Sequence, residues 1–397
     1  MKFKHDEKLK MGKVKMLSFF SLLLGLSQGV FVYVMSTYFK QASGIENVGM
    51  FYLVSYSVVL AVILNMYKVI RLIGKADFFY ISLFLEILAI IALLFVSPGP
   101  IGIIAMIIYI IFLDLQWLSM DMILENYSTD EMSGRIRGGY LTAMNVGFFA
   151  SPIISAAVLE KYGYYGIFFL MLVFNVAVLL LGGLGIGQVK HDIKRKTTSL
   201  NNIFKKVWQR KDICRIFYIS FVLDFFFALM VIYAPIYLLN LGFSWKDLGI
   251  IFTVMLLPFV LVQYPAGVLA DKKLGEKEML IGSIFLMGCA TLTVYFVTSK
   301  EIFIWALVLL LTRIGAALIQ ILRDSYFYKR IDERDVDLID FFRTSFPFAY
   351  IFAAIFSVIM LFFFPLKTIF ILIAVVVFSA LIPAFLLEDN PSEARKV

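Results

Sequence analysis

Residues 264–280 read YPAGVLADKKLGEKEML. A small and apolar run closes on Gly267-Val268-Leu269-Ala270, and the chain then turns almost wholly charged from Asp271 to Glu278 before Met279 restores the apolar pattern. In a sequence that is 61% hydrophobic and 16% charged, such a burst marks where the chain leaves an oily environment and re-enters it. The flanking residues decide the fold class. Mean hydropathy is +0.91, well beyond soluble domains, and crossing a hydrocarbon layer of about 30 Å takes about 20 apolar residues. Stretches of that kind lie at 14–38, 47–67, 77–96, 101–124, 138–159, 165–187, 214–240, 245–269, 279–298, 302–322, 342–364 and 366–387. No soluble domain fits between them. The sequence predicts an all-α membrane protein with twelve transmembrane helices.

Lysine and arginine set the orientation. With the N-terminus in the cytoplasm, the inner segments hold 30 of the 36 basic residues and the outer loops hold 5, with Arg313 inside a span. Both termini are therefore expected on the inner side of the cytoplasmic membrane. The net charge of +8 is then an orientation signal with some attraction to anionic lipid headgroups, and calls for no nucleic-acid partner. The N-terminal apolar run is too long for a signal peptide and lacks a small-x-small cleavage site, so it reads as an uncleaved first span. Cys214 and Cys289 have no metal-like spacing, and His5 and His191 lie outside the spans. No metal, cofactor or nucleophile constellation is expected, which argues against an enzyme.

A basic, polar stretch over 188–213 divides the chain near its midpoint. Apolar residues at 200, 203, 204, 207 and 208 repeat at helical spacing, as in an amphipathic helix lying on the inner membrane surface. The expected organisation is a six-helix bundle at 1–187, a cytoplasmic linker at 188–213 and a second six-helix bundle at 214–397. The halves resemble each other. ENYSTDEMSGRIRGGYLTAMN after span 4 matches DSYFYKRIDERDVDLIDFFRT after span 10 at an offset of 199, placing Glu125 on Asp324 and Tyr127 on Tyr326. Because each half has an even number of spans, the repeats are parallel, related by an axis along the membrane normal.

The opening stretch now has a meaning. Gly267-x-Leu269-Ala270-Asp271-Lys272, followed by Gly275 and Lys277, resembles the loop between the second and third helices of a half in the major facilitator superfamily. The resemblance covers essentially the whole chain. It implies two pseudo-symmetric six-helix bundles, alternating access to a midplane site, and a cytoplasmic latch. In that latch Asp271 sits at the N-terminal end of span 5, near Arg137 and Gly138, while Lys272 and Lys273 meet Asp324. Two departures stand out. Leu274 is inserted and Glu276 occupies a usual arginine site, and the first half carries only KVIRLIGKADFF, with Gly74 read at the aspartate position.

Span 5 carries Gly138, eight residues, Gly147, three residues, Ser151-Pro152, two residues and Ser155-Ala156. This is similar to the superfamily's antiporter motif with small residues replacing glycine at three places, and it implies proton-coupled export. Generic small-residue packing explains the same spacing.

Ionisable residues inside spans are costly, about 2.5–3.5 kcal/mol each on insertion scales, so each calls for an account. They are Glu86, Asp114, Asp121, Asp224 and Arg313. Asp114 and Asp121, seven apart, share one helix face with Trp117 between them, and Arg313 and Gln320 repeat the spacing on span 10. The superfamily plan puts spans 1, 4, 7 and 10 around the cavity, so Asp114, Asp224 and Arg313 are expected there. Asp114 is the first candidate for carrying a proton and Asp224 the second. The alternative is a static ion pair of Arg313 with either acid. Asp121 is assigned to an inner charge network with Arg135 or Arg137, and Glu86 is given no role. Gln28, Asn145, Tyr233 and Gln263 are substrate hydrogen-bond candidates or interhelical glue.

The resulting expectation is a monomeric secondary transporter of a small molecule, proton-coupled and exporting. The rival is a non-transporting receptor, assembly factor or lipid scramblase on the same scaffold.

Overall fold

The structure is a computed structural model that describes residues 2–127, 133–185, 200–270, 275–331 and 336–388. These residues are almost entirely helical, and no strand occurs among them. The chain divides into two compact units, Met1–Lys194 and Arg195–Val397.

The first unit contains α1 (Lys2–Val32), α2 (Met35–Ser43), α3 (Gly49–Ile73), α4 (Lys75–Phe95), α5 (Pro100–Tyr127) and α6 (Ser133–Gly185). Helix α6 runs for 53 residues but breaks at Gly163, where φ is 62° and ψ is −157°. A residue with a Cβ rarely adopts that backbone, so the glycine reverses the chain without a loop. The 46-residue apolar stretch Gly138–Gly183 is therefore two crossings joined at Gly163. With the ten other long apolar helices among the described residues, this makes twelve spans.

The second unit contains α7 (Leu200–Gln209), α8 (Lys211–Asn240), α9 (Trp245–Leu261), α10 (Gln263–Leu269), α11 (Glu276–Phe296), α12 (Ile302–Lys329), α13 (Val336–Arg343), α14 (Ser345–Phe363), a 3-10 turn at Leu366–Thr368, α15 (Ile369–Ser379) and α16 (Leu381–Leu386). Helices α9 and α10 form one span with an irregularity at Val262, and α15 and α16 form another at Ala380. The short amphipathic helix α7 buries Val207, leaves Trp208 81% exposed, and packs on α8 and α13.

Each unit has its own core. In the first, Leu17 and Phe20 of α1 meet Phe79 and Leu83 of α4, Met120 and Ile123 of α5, and Tyr140 and Val178 of α6. Large side chains such as Phe95, Phe362, Val375 and Ile382 point outward. In water an apolar surface of that extent would drive aggregation, whereas hydrocarbon solvates it.

The two units repeat one local device. Gly74 precedes α4 at φ 89°, ψ 160°, and Gly275 precedes α11 at φ 84°, ψ 161°. The two helices that follow are both 21 residues long. Gly74 is thus the counterpart of Gly275 and not of Asp271, which corrects the sequence-based alignment of the first-half loop. The Gly74 amide donates to the Ile70 carbonyl four residues back at 2.8 Å, and the Gly275 amide to the Ala270 carbonyl five back at 2.9 Å. Arg71 follows Ile70 as Asp271 follows Ala270, so the first half carries the opposite charge next to the turn.

Candidate functional site

The chemistry inside the first unit lies where α3, α4 and α5 meet. Glu86, near the middle of α4, is 1% exposed. Its neighbours across the interface are Asp114 and Tyr109 of α5, close enough for their charges to act on one another. Asp114 receives a hydrogen bond from the Tyr56 hydroxyl of α3. Oxygen Oε2 of Glu86, Oδ2 of Asp114 and the hydroxyl of Tyr109 are buried without a hydrogen-bond partner. No lysine or arginine pairs with either carboxyl among the described residues. Sequence reasoning picked out Asp114 but gave Glu86 no role, because nothing in the one-dimensional pattern says which face of α4 meets α5.

The second unit treats its buried charges differently. Asp224 of α8 is 6% exposed. Its Oδ1 lies 3.4 Å from Nη1 of Arg323, and its Oδ2 accepts a 2.5 Å hydrogen bond from the Ser345 hydroxyl of α14. Arg323 also donates to the Ser220 hydroxyl at 2.6 Å and to Asp324 at 3.2 Å, and its guanidinium lies over the Phe342 ring at 5.7 Å. Arg313 is 2% exposed and lies over the rings of Phe226 and Phe227, 5.2 Å from each centroid. A static pair of Arg313 with Asp114 or Asp224 was the alternative reading of the sequence; a base within reach of Asp224 is Arg323, one helical turn beyond Gln320. Phenylalanine faces take up the Arg313 cation.

The same end of this unit carries further pairs. Glu276, 1% exposed, binds Lys329 and accepts from the Ser325 hydroxyl at 2.9 Å. Asp212 pairs with Arg215 at 2.9 Å and Arg330 at 3.6 Å, and Arg330 reaches Glu388 at 2.8 Å. Burial works against the charge of Arg330, but Glu388, Tyr326 and Asp212 outweigh it and hold its pKa above the ordinary arginine value. Asp324, expected to meet Lys272 and Lys273, bonds Arg323. Asp271, Lys272 and Lys273 lie outside the described residues, as do the side chains of Arg135 and Arg137 assigned to Asp121.

The small residues of span 5 form a seam against α1. A Cβ on Gly147 would come within 2.7 Å of the Leu22 carbonyl oxygen, and one on Gly25 within 2.6 Å of the Met144 carbonyl oxygen. One on Gly29 would meet the Ser151 hydroxyl at 2.4 Å. Ser151 in turn donates to the carbonyl of Gly147 at 2.6 Å. Gly25 and Gly29 form a G-x-x-x-G step in α1 that the sequence reading passed over, and its four-residue spacing was the available signal. Pro152 lies within α6 just beyond this seam, and Gly138 near its start has open space around it. Gly267 of α10 is less crowded than expected. A Cβ there would meet Ile321 at an ordinary 3.7 Å.

Other candidates divide between packing and free polar groups. Gln263 donates to Gln320 at 3.1 Å, tying α10 to α12, and Tyr233 donates to Ser357 at 3.0 Å, tying α8 to α14. Trp117 packs against the core of the first unit, its ring 6.5 Å from that of Tyr140. Gln28 and Asn145 are half-buried on α1 and α6 and make no side-chain hydrogen bond among the described residues.

The sequence profile of the Major Facilitator Superfamily matches residues 17–336 and again 247–397. A crystal structure of the nucleoside transporter NupG, in point-mutant form, superimposes with a TM-score of 0.73. It covers 94% of this chain and 99% of that one at 12% identity, which is a likeness of fold. No curated protein sequence matches significantly. Apolar helices of spanning length, buried ionisable groups and a match along most of its length together place this chain in the Major Facilitator Superfamily, as a multi-pass membrane protein of the secondary-transporter class and not an enzyme.

Proposed function

We propose that this protein moves a small molecule across the cytoplasmic membrane by alternating access, driven by protons taken up and released at Asp114, in the direction of export. The observation that carries the reading is the state of Asp114. It sits in the middle of a span, receives one hydrogen bond from Tyr56, and has a second oxygen buried without a partner or a base. A carboxylate in that setting is costly to leave ionised. A protonated one is tolerable, so the group trades a proton whenever its access to water changes. Export is supported by the small-residue series of span 5, whose Gly147 and Ser151 form the close seam with α1. The excess of lysine and arginine in alternate loops supports termini on the cytoplasmic side. The working unit is a monomer in contact with membrane lipids.

The test begins with metabolite profiling of cells with and without the gene, which supplies the substrate. Transport of that substrate is then followed in vesicles under an imposed pH gradient. Asp114→Asn is expected to abolish gradient-driven transport while keeping exchange down the substrate's own gradient. Undiminished pH-driven transport in that variant would remove Asp114 from the mechanism, and net movement inward would reverse the direction.

A further inference from the structure

Glu86 has no counterpart in the second unit. Helices α4 and α11 have the same length and follow the same glycine turn, and at the position of Glu86 the second unit has Met287. Both side chains are buried, at 1% and 0% exposure. An apolar residue of similar size therefore fills this place in the fold, so packing alone does not call for a carboxyl. A carboxyl there carries a desolvation cost that nothing nearby offsets. Its oxygen Oε2 is buried without a hydrogen-bond partner, as is Oδ2 of Asp114, the acid whose charge acts on it. The titratable groups facing the two are Tyr109 from α5 and Tyr56 from α3, and none from α1 or α6 acts on either carboxyl among the described residues.

We infer that Glu86 and Asp114 act as one proton-binding pair, with Glu86 as the second carboxyl of the coupling site. The inference rests on the proton-coupled reading above and deepens it. Two buried carboxyls whose charges act on one another, without a cation among the described residues, resist ionising together, because each negative charge raises the cost of the other. Binding a proton from water converts one carboxylate to a carboxylic acid and removes one negative charge from the pair. Losing it restores that charge, and the second carboxyl keeps its proton over this step and gives it up only at higher pH. Tyr109, whose hydroxyl is buried without a hydrogen-bond partner, is the third titratable group of the cluster. Coupling then depends on the pair and not on Asp114 alone.

The experiment is an infrared pH titration of the full-length protein in lipid nanodiscs, following the carbonyl band of protonated carboxyls. Wild type is compared with Glu86→Gln, Asp114→Asn and the double variant. The difference between wild type and the double variant isolates the pair, and it is expected to titrate in two steps separated by more than about one pH unit. Each single variant is expected to show one step. Should Glu86→Gln fail to fold, Asp114→Asn and Glu86→Met carry the same comparison. Two overlapping steps, with the Asp114 step unmoved by Glu86→Gln, would overturn the inference. A band that answers to sodium at fixed pH and not to protons would also overturn it by making the site one for a metal cation. Vesicle transport keeps the two proposals apart. If Asp114→Asn transports normally while the two-step titration holds, the pair exists and the coupling reading fails.

Discussion

The two bundles share a plan and differ in how they treat buried charge. In the second unit the buried acids among the described residues have bases: Asp224 has Arg323, and Glu276 has Lys329. In the first unit, Glu86 and Asp114 face each other with none among the described residues. A matched pair fixes geometry and resists change in protonation, because removing either charge strands the other. An unmatched pair does the reverse: it is indifferent to geometry and sensitive to protons. The difference teaches that two bundles of one plan can pair buried acids with bases in one half and hold two buried carboxyls together without a base in the other, among the described residues. The turns at Gly74 and Gly275 are nearly superimposable in dihedral angles.

The sharpest way to break this contrast is to strip the second unit of its base. Arg323→Met leaves Asp224 buried with only Ser345, and is expected to cost about 3–5 kcal/mol, read as the fall in thermal midpoint of the detergent-purified protein. Adding Asp224→Leu to that variant should recover most of the loss, and no recovery would mean that Arg323 acts through Ser220 and Phe342 instead.

Making the first unit resemble the second runs the other way. Glu86→Met copies Met287, removes an unpartnered carboxyl, and is expected to raise stability by about 1–3 kcal/mol while pH-driven transport is lost. A fall in stability would show that Glu86 has a structural partner. Next in size is Lys329→Ala. Glu276 keeps Ser325, and Lys329 is 44% exposed, so screening by solvent limits the expected loss to about 1 kcal/mol. The smallest effect is that of Gln263→Ala, which removes one interhelical hydrogen bond to Gln320 and is expected to cost about 0.6 kcal/mol. A much larger value there would place Gln263 in the substrate path.

The class of protein, the number of crossings, the repeat and the family resemblance were legible in the sequence. Each depends on properties that are local or additive along the chain: the length of apolar runs, the sign of charges between them, the spacing of glycines. Even the inserted Leu274 could be counted. The register of the first-half loop was not legible, because Gly74 can be aligned with Asp271 or Gly275 until its dihedral angles are known. Nor could span 5 and span 6 be seen to join at one glycine.

The sequence by itself determined that Glu86, Asp114, Asp224 and Arg313 lie within apolar spans, since a window of neighbours suffices to establish that. Only the tertiary structure decided which of them meet. It gave Asp224 to Arg323, put Arg313 against Phe226 and Phe227, and brought Glu86 to Asp114. The reason is rotational. A helix turns each side chain by about 100° per residue, and in a span that is apolar all round no pattern of polarity marks which face is buried against which neighbour. Packing makes that choice, and with it the distinction between a charge that is held and a charge that can move.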